Sequence, residues 1–148
     1  MILRLPSRVL HFPRRPLLMG IVNVNDDSFS GDGTLDEDEA LVQAGAQAAA
    51  GADIVDLGAE SARTNRAAIP VEEECARLRK VLARWNEVTS SAGPRDEEQV
   101  WPPVLSVNTW RSEVVAAALG LGAELINDMS GLPDGSNARL VAEHGAAL

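Results

Sequence analysis

The sequence predicts a parallel α/β fold in which one strand-helix unit follows another along the chain. Three observations predict it. Short apolar runs alternate with helical stretches, the connections between them are short, and the helix-to-strand junction recurs. Gly51-Ala52-Asp53-Ile54-Val55-Asp56 is echoed by Gly122-Ala123-Glu124-Leu125-Ile126-Asn127, and a third copy begins at Gly145-Ala146-Ala147-Leu148. Strands alternating with helices pair in parallel through right-handed crossovers. Because the strands are continuously apolar, the sheet is expected to be covered on both sides or closed into a barrel. A closed eight-unit barrel takes about 250 residues. These 148 residues carry four complete units and the first residues of a fifth strand, so they are expected to supply little more than half of one.

Residues 1–16 place Arg4, Arg8, Arg14 and Arg15 between short apolar pieces. There is neither a continuous apolar stretch nor a small-residue cleavage pattern, so no signal peptide is expected. The segment reads as a hairpin or lead-in to the first core strand, with an organelle presequence as the alternative. Residues 17–148 form the barrel portion. Leu17 to Val24 is the first core strand, ending near Asn23 and opening into a polar loop, Asn25 to Gly33. Thr34 with Glu37 matches a capping box, Asp36 is a rival N-cap, and the helix behind them runs to Ala50, where Gly51 stops it.

Ala52 to Leu57 is the second strand, and its loop runs from Gly58 to Ile69. Pro70 suits the first turn of a helix that continues through Leu78, Val81, Leu82 and Trp85. The Ser-, Gly- and acid-rich stretch Thr89 to Pro103 is a helix-to-strand connector, expected on the face opposite the strand-to-helix loops and therefore without a catalytic role. Val104 to Val107, Thr109 to Leu119, Glu124 to Asn127 and Ser136 to His144 complete the third and fourth units.

Composition narrows the function classes. Thirteen Lys and Arg against twenty-two Asp and Glu give a formal charge of -9, so no general attraction to nucleic acid or an anionic membrane is expected. No apolar run reaches the roughly 18 to 20 residues of a membrane-spanning helix. A single cysteine, Cys75, excludes an internal disulfide framework and fits a reducing compartment, with the cytoplasm as the expected location. Cys75 stands beside Glu72, Glu73 and Glu74, whose negative charge raises a thiol pKa and makes it a poor nucleophile. His11 and His144 lack a second His or Cys at metal-ligand spacing and read as surface or packing residues.

In parallel strand-helix folds the ligand site lies at the carboxyl ends of the strands. Here those ends carry Asn23, Asp56, Asn108, and Asn127 followed by Asp128. Converging carboxamides and carboxylates can pair with a flat heterocycle rich in N–H and C=O groups, although Asn and Asp also end strands simply by starting turns. The first loop, with Gly31 and Gly33, has the length of a substrate-covering segment. Its three aspartates lack the spacing of an EF-hand. Asn23 could offer one oxygen to a magnesium ion borne by a phosphorylated substrate. The second loop places Arg63 and Arg66 beside the mouth, where guanidinium groups suit an anionic ligand or lie solvated.

These residues resemble a known family. Leu18-Met19-Gly20-Ile21-Val22-Asn23-Val24 leading to Asp27-Ser28-Phe29-Ser30 is similar to the first signature of dihydropteroate synthases, folate-pathway enzymes of the pterin-binding barrel superfamily. Gly51 to Asp56 followed by Gly58, Glu60-Ser61 and Arg63 resembles the second signature. Ser106-Val107-Asn108-Thr109 and Ile126-Asn127-Asp128 with Ser130-Gly131 resemble the third and fourth strand ends. The resemblance implies the amino-terminal half of a TIM (β/α)8 barrel and a transferase that joins 4-aminobenzoate to 6-hydroxymethyl-dihydropterin diphosphate, releasing diphosphate.

On that resemblance Asn23 helps hold Mg2+ on the diphosphate, and Asp56, Asn108 and Asn127 are candidate pterin contacts. Phe29, Ser61, Ala62 and Arg63 belong to the loops that form the aminobenzoate pocket, with Arg63 as the catalytic candidate. There are departures. The usual Thr-Pro after the first Asn-Val is Asn25-Asp26, the usual Ser-Thr-Arg-Pro is Ser61-Ala62-Arg63-Thr64, and the usual third-strand acid is Asn108. The family's remaining site acid, its lysine and its diphosphate-gripping basic residues lie on later strands, so this chain alone is expected to lack synthase activity. A methyltetrahydrofolate-dependent methyltransferase of the same superfamily, and a non-catalytic pterin-binding paralogue or half-barrel, are the alternatives. A half-barrel with open edges is expected to form homo-oligomers or be completed by a second half.

Overall fold

The structure, a computed structural model, describes residues 1–12, 14–26, 33–60, 67–90 and 93–148. Two short strands open it: β1 (Ile2–Arg4) and β2 (Val9–His11) pair antiparallel. The main sheet has four parallel strands in chain order, β3 (Met19–Asn23), β4 (Ile54–Gly58), β5 (Val104–Asn108) and β6 (Leu125–Asn127). Between them run α1 (Glu37–Ala49), then α2 (Val71–Leu82) and α3 (Trp85–Ser90), then α4 (Ser112–Gly120), with α5 (Ser136–Glu143) after β6. Beyond α5, Ala147 bridges Leu125 in parallel, where the third Gly-Ala junction lies. No helix among the described residues is long and apolar enough to cross a membrane.

The register sorts the strand residues into two faces, because successive side chains in a strand point to opposite sides. Val22, Val55, Leu57, Leu105, Val107 and Ile126 face the helices, where they are buried against Ala40, Ala44, Leu78, Val81, Val114 and Ala118. The other face carries its polar residues in two levels toward the carboxyl ends. Ile21, Asp56, Ser106 and Leu125 share one register level, and Asn23, Gly58, Asn108 and Asn127 share the next. At the amino ends the same face is apolar, and there Ile54 and Val104 pack with Leu5 and Leu10 of the hairpin. The hairpin therefore covers the amino-terminal end of this face of the sheet.

Strand β3 lies close against α1. A Cβ placed on Gly20 would sit 2.8 Å from the Gln47 Cβ, nearer than side chains pack, so only glycine fits without shifting the helix.

Helix limits follow local chemistry. Asp36 takes the N-cap of α1, accepting from the backbone N–H of Asp38 and Glu39, while Thr34 lies outside the cap, donates to Glu39 at 2.7 Å and accepts from the Asp36 N–H. The helix expected to run through Trp85 stops at Leu82, and Trp85 opens the separate α3. Pro70 caps α2 rather than standing inside its first turn, and α4 begins at Ser112 rather than near Thr109.

The amino-terminal end of the sheet is organised by Asp53, fully buried. Its carboxylate accepts a two-pronged contact from Arg15, at 3.0 and 2.9 Å, and the backbone N–H groups of Leu18 and Val100 at 2.9 and 2.8 Å. Gln99 of the connector donates to the carbonyls of Ala48 and Ala52 at 2.8 and 2.9 Å, satisfying the end of α1. The connector thus serves the end away from the polar strand termini.

Candidate functional site

The polar site sits on the inner face at the carboxyl ends of β3 to β6. Asp56, Ser106 and Asn127 are joined there. Ser106 Oγ donates to Asp56 Oδ1 at 2.5 Å, and Asn127 Nδ2 donates to Asp56 Oδ2 at 2.9 Å. Asp56 and Ser106 are almost wholly buried. Both carboxylate oxygens are therefore used within the protein, and one Asn127 N–H points at Asp56. That contact orients the Asn127 carboxamide and leaves its oxygen and second N–H to face elsewhere.

The strand ends differ from the sequence expectation at one place. Strand β4 continues two residues past Asp56 to Gly58, so the rim layer is Asn23, Gly58, Asn108 and Asn127 rather than four amides and acids. Asp56 lies one layer deeper. The glycine leaves the rim open between Asn23 and Asn108, and a Cβ there would meet the Asn108 Cβ at 3.6 Å. Asn23, Asn108 and Asn127 are all half-buried.

Next to the rim stands a buried ionic group. Arg111, the N-cap residue of α4, lies between two carboxylates, with Nη2 2.7 Å from Glu60 Oε2 and Nη1 2.8 Å from Glu74 Oε2. Burial pushes the Glu74 carboxyl above the ordinary glutamate range, and the nearby Glu60 charge adds to that push against the opposing pull of Thr109 and Arg111. A glutamate at this position continues the helical stripe Glu74, Leu78, Val81 and Leu82, all buried. That spacing is the sequence signal for a buried acid, and the sequence reading did not use it. Asn137 was also missed. It accepts from Ser112 Oγ at 2.9 Å and donates to the Trp110 carbonyl at 2.9 Å and to Asp128 at 2.7 Å, joining the β6 loop to α4 and α5.

Of the candidate residues, Asn23, Asp56, Asn108 and Asn127 come together on one face. Phe29, Ser61, Ala62, Arg63 and Arg66 lie outside the described residues. Asn23 offers a single carboxamide oxygen at the rim, and among the described residues no three His, Cys, Asp or Glu side chains converge on a point. That donor set fits one protein ligand to an ion whose other ligands come with a substrate. Cys75 is half-buried on α2; burial first, then the Glu74 charge, raises its thiol pKa, as its acidic neighbours predict.

Residues 19–148 match the pterin binding enzyme family. The chain is 38% identical over 132 residues to a probable bifunctional folylpolyglutamate synthase/dihydropteroate synthase of Haloferax volcanii, covering 88% of this chain and 14% of that protein. It is 34% identical over 141 residues to the dihydropteroate synthase of Bacillus subtilis, covering 94% of this chain and 45% of that one. Among solved structures, the Burkholderia cenocepacia dihydropteroate synthase complexed with 7,8-dihydropteroate superposes with a TM-score of 0.75 at 30% identity, covering 98% of this chain and 44% of that one. The chain thus spans less than half the length of each of these relatives.

Proposed function

This chain belongs to the pterin binding enzyme family, and from that premise we propose that it is the amino-terminal part of a dihydropteroate synthase of folate biosynthesis. The observation that carries the proposal is the inward-facing group of Asp56, Ser106 and Asn127 beneath the rim of Asn23, Gly58, Asn108 and Asn127. Such a surface offers paired donors and acceptors to the edge of a flat pterin. The names of the relatives support the reading.

In this proposal the pterin lies against Asn108 and Asn127, with Asp56 beneath them holding the Asn127 carboxamide in its working orientation. The amine of 4-aminobenzoate attacks the pterin methylene carbon, the carbon–oxygen bond to diphosphate breaks, the diphosphate leaves with the bonding electrons, and the amine loses a proton. The chain contributes positioning and charge stabilisation. By the family resemblance Phe29, Ser61, Ala62 and Arg63 would contribute to the aminobenzoate pocket, with Arg63 as the catalytic candidate. Magnesium would supply charge neutralisation on the departing diphosphate, and Asn23 would give it one oxygen. The exposed inner-face side chains Met19 and Ile21 are covered, in this reading, by the remaining strands of a full barrel or by a second half.

The reading is tested by incubating the full-length protein with 4-aminobenzoate and 6-hydroxymethyl-dihydropterin diphosphate and following dihydropteroate. Formation by the full-length protein and none by residues 1–148 alone is expected. A second reading, a pterin-binding protein without synthase activity, is favoured by Asn108 standing where the resemblance expects an acid. Pterin binding without product by the full-length protein would select it.

A further inference from the structure

The side chain of Glu60 joins three parts of the molecule. It stands just past the end of β4, and its Oε1 accepts from the backbone N–H of Ile69, nine residues on and just before α2. Its other oxygen, Oε2, is 2.7 Å from Arg111 Nη2. Arg111 in turn is held by Glu74 at 2.8 Å, and the three side chains are 9%, 14% and 1% exposed for Glu60, Arg111 and Glu74. One carboxylate therefore ties the point where the chain leaves β4 to the point where it rejoins α2. Arg111 fastens that tie to α4, the helix of the neighbouring unit. The Ala59 carbonyl, one residue back, accepts from Arg77 of α2 at 3.3 Å and fixes the same corner from the other side.

We propose that Glu60, anchored through Arg111, is a positioning residue that sets the geometry of the base of the second strand-to-helix loop and thereby determines affinity for the second substrate. The inference rests on the synthase reading above for the identity of that substrate. The physical case rests on how the two oxygens are divided. Oε1 accepts the Ile69 N–H, Oε2 accepts no hydrogen bond and faces the Arg111 guanidinium as an ion pair, and the arginine is shared with a more deeply buried carboxylate. Charge-assisted contacts in a water-poor setting hold geometry more firmly than exposed ones. Loop residues supplying a ligand site gain accuracy when their ends are fastened to rigid elements.

The test uses the full-length protein and Glu60→Gln, which preserves size but removes the charge that faces Arg111 and leaves a single oxygen for the Ile69 N–H and the guanidinium. The Arg111–Glu74 pair is left intact. Hydrogen exchange at the Ile69 amide should speed up by about tenfold or more, with the thermal midpoint little changed. In the synthase assay KM for 4-aminobenzoate should rise by about tenfold while kcat and KM for the pterin diphosphate hold. Glu60→Asp, which keeps both acceptors, should recover most of each effect. Unaltered Ile69 exchange in Glu60→Gln overturns the tie, and faster exchange with an unchanged KM for 4-aminobenzoate overturns the positioning role. A parent protein that makes no dihydropteroate brings down the synthase reading and the substrate named here with it, while Ile69 exchange still decides whether Glu60 ties the loop.

Discussion

Asn127 donates a side-chain N–H to Asp56 across 2.9 Å, linking β6 to β4 over the intervening β5. Ser106 of that middle strand donates to the same carboxylate. Three strands are thus cross-tied by one buried acid on the face where the polar rim begins.

Removing that acid should be felt first in stability. Asp56→Ala leaves the Ser106 hydroxyl and the Asn127 amide without their acceptor in a buried setting, a loss of about 2–4 kcal/mol. Urea denaturation measures it. A loss below about 1 kcal/mol would mean that neither donor depends on Asp56.

At the rim, Asn108→Asp should strengthen binding of a pterin diphosphate by about tenfold, because a carboxylate accepts from ring N–H groups more strongly than a carboxamide. Calorimetric titration of the full-length protein, with and without magnesium, reads this directly. Unchanged affinity would place the pterin away from Asn108.

At the opposite end, Asp53→Asn should be among the most damaging single changes. It takes the charge from a fully buried carboxylate that gathers Arg15, Leu18 and Val100, and breaking one side of a buried ion pair costs about 3–5 kcal/mol. Ligand binding by whatever folded protein remains should be unaltered, since Asp53 lies at the amino-terminal end of the sheet. A variant as stable as the parent would show that the hairpin and connector hold without it.

Asp128 gives a pH-dependent prediction. Burial raises its carboxyl pKa, but hydrogen bonds from Ser130 and Asn137 outweigh burial and hold it below the ordinary aspartate range. A carboxyl lowered in the folded state contributes its full stability above the unfolded value and loses it as pH falls through the folded one. Asp128→Asn should therefore cost about 1 kcal/mol near neutrality, and the gap to the parent should narrow below about pH 4. Stability curves from neutral pH into acid compare the two proteins, and a gap that stays constant excludes this origin.

The amino-acid order by itself determined the parallel strand-helix succession and the ends of three of its four strands, at Asn23, Asn108 and Asn127. These are local and repetitive properties: glycine stops helices, apolar runs make buried strands, and the repeated Gly-Ala junction sets the phase of each unit. It also brought Asn23, Asn108 and Asn127 forward as one group, because parallel strands must end on the same side of their sheet.

What only the tertiary structure decided is register and pairing. Whether β4 ended at Asp56 or Gly58 could not be read from its own residues, since both steps suit a strand. Alignment against β3 and β5 puts Gly58 at the rim and Asp56 one layer down. Charge and amide content usually mark exposure, so nothing in residue type points to Glu74, Arg111 and Asn137 as buried. Their burial depends on partners 37 residues apart for Glu74 and Arg111 and 25 apart for Ser112 and Asn137. A polar side chain can be buried only where such a partner meets it, and the packing of one strand-helix unit on the next supplies that meeting.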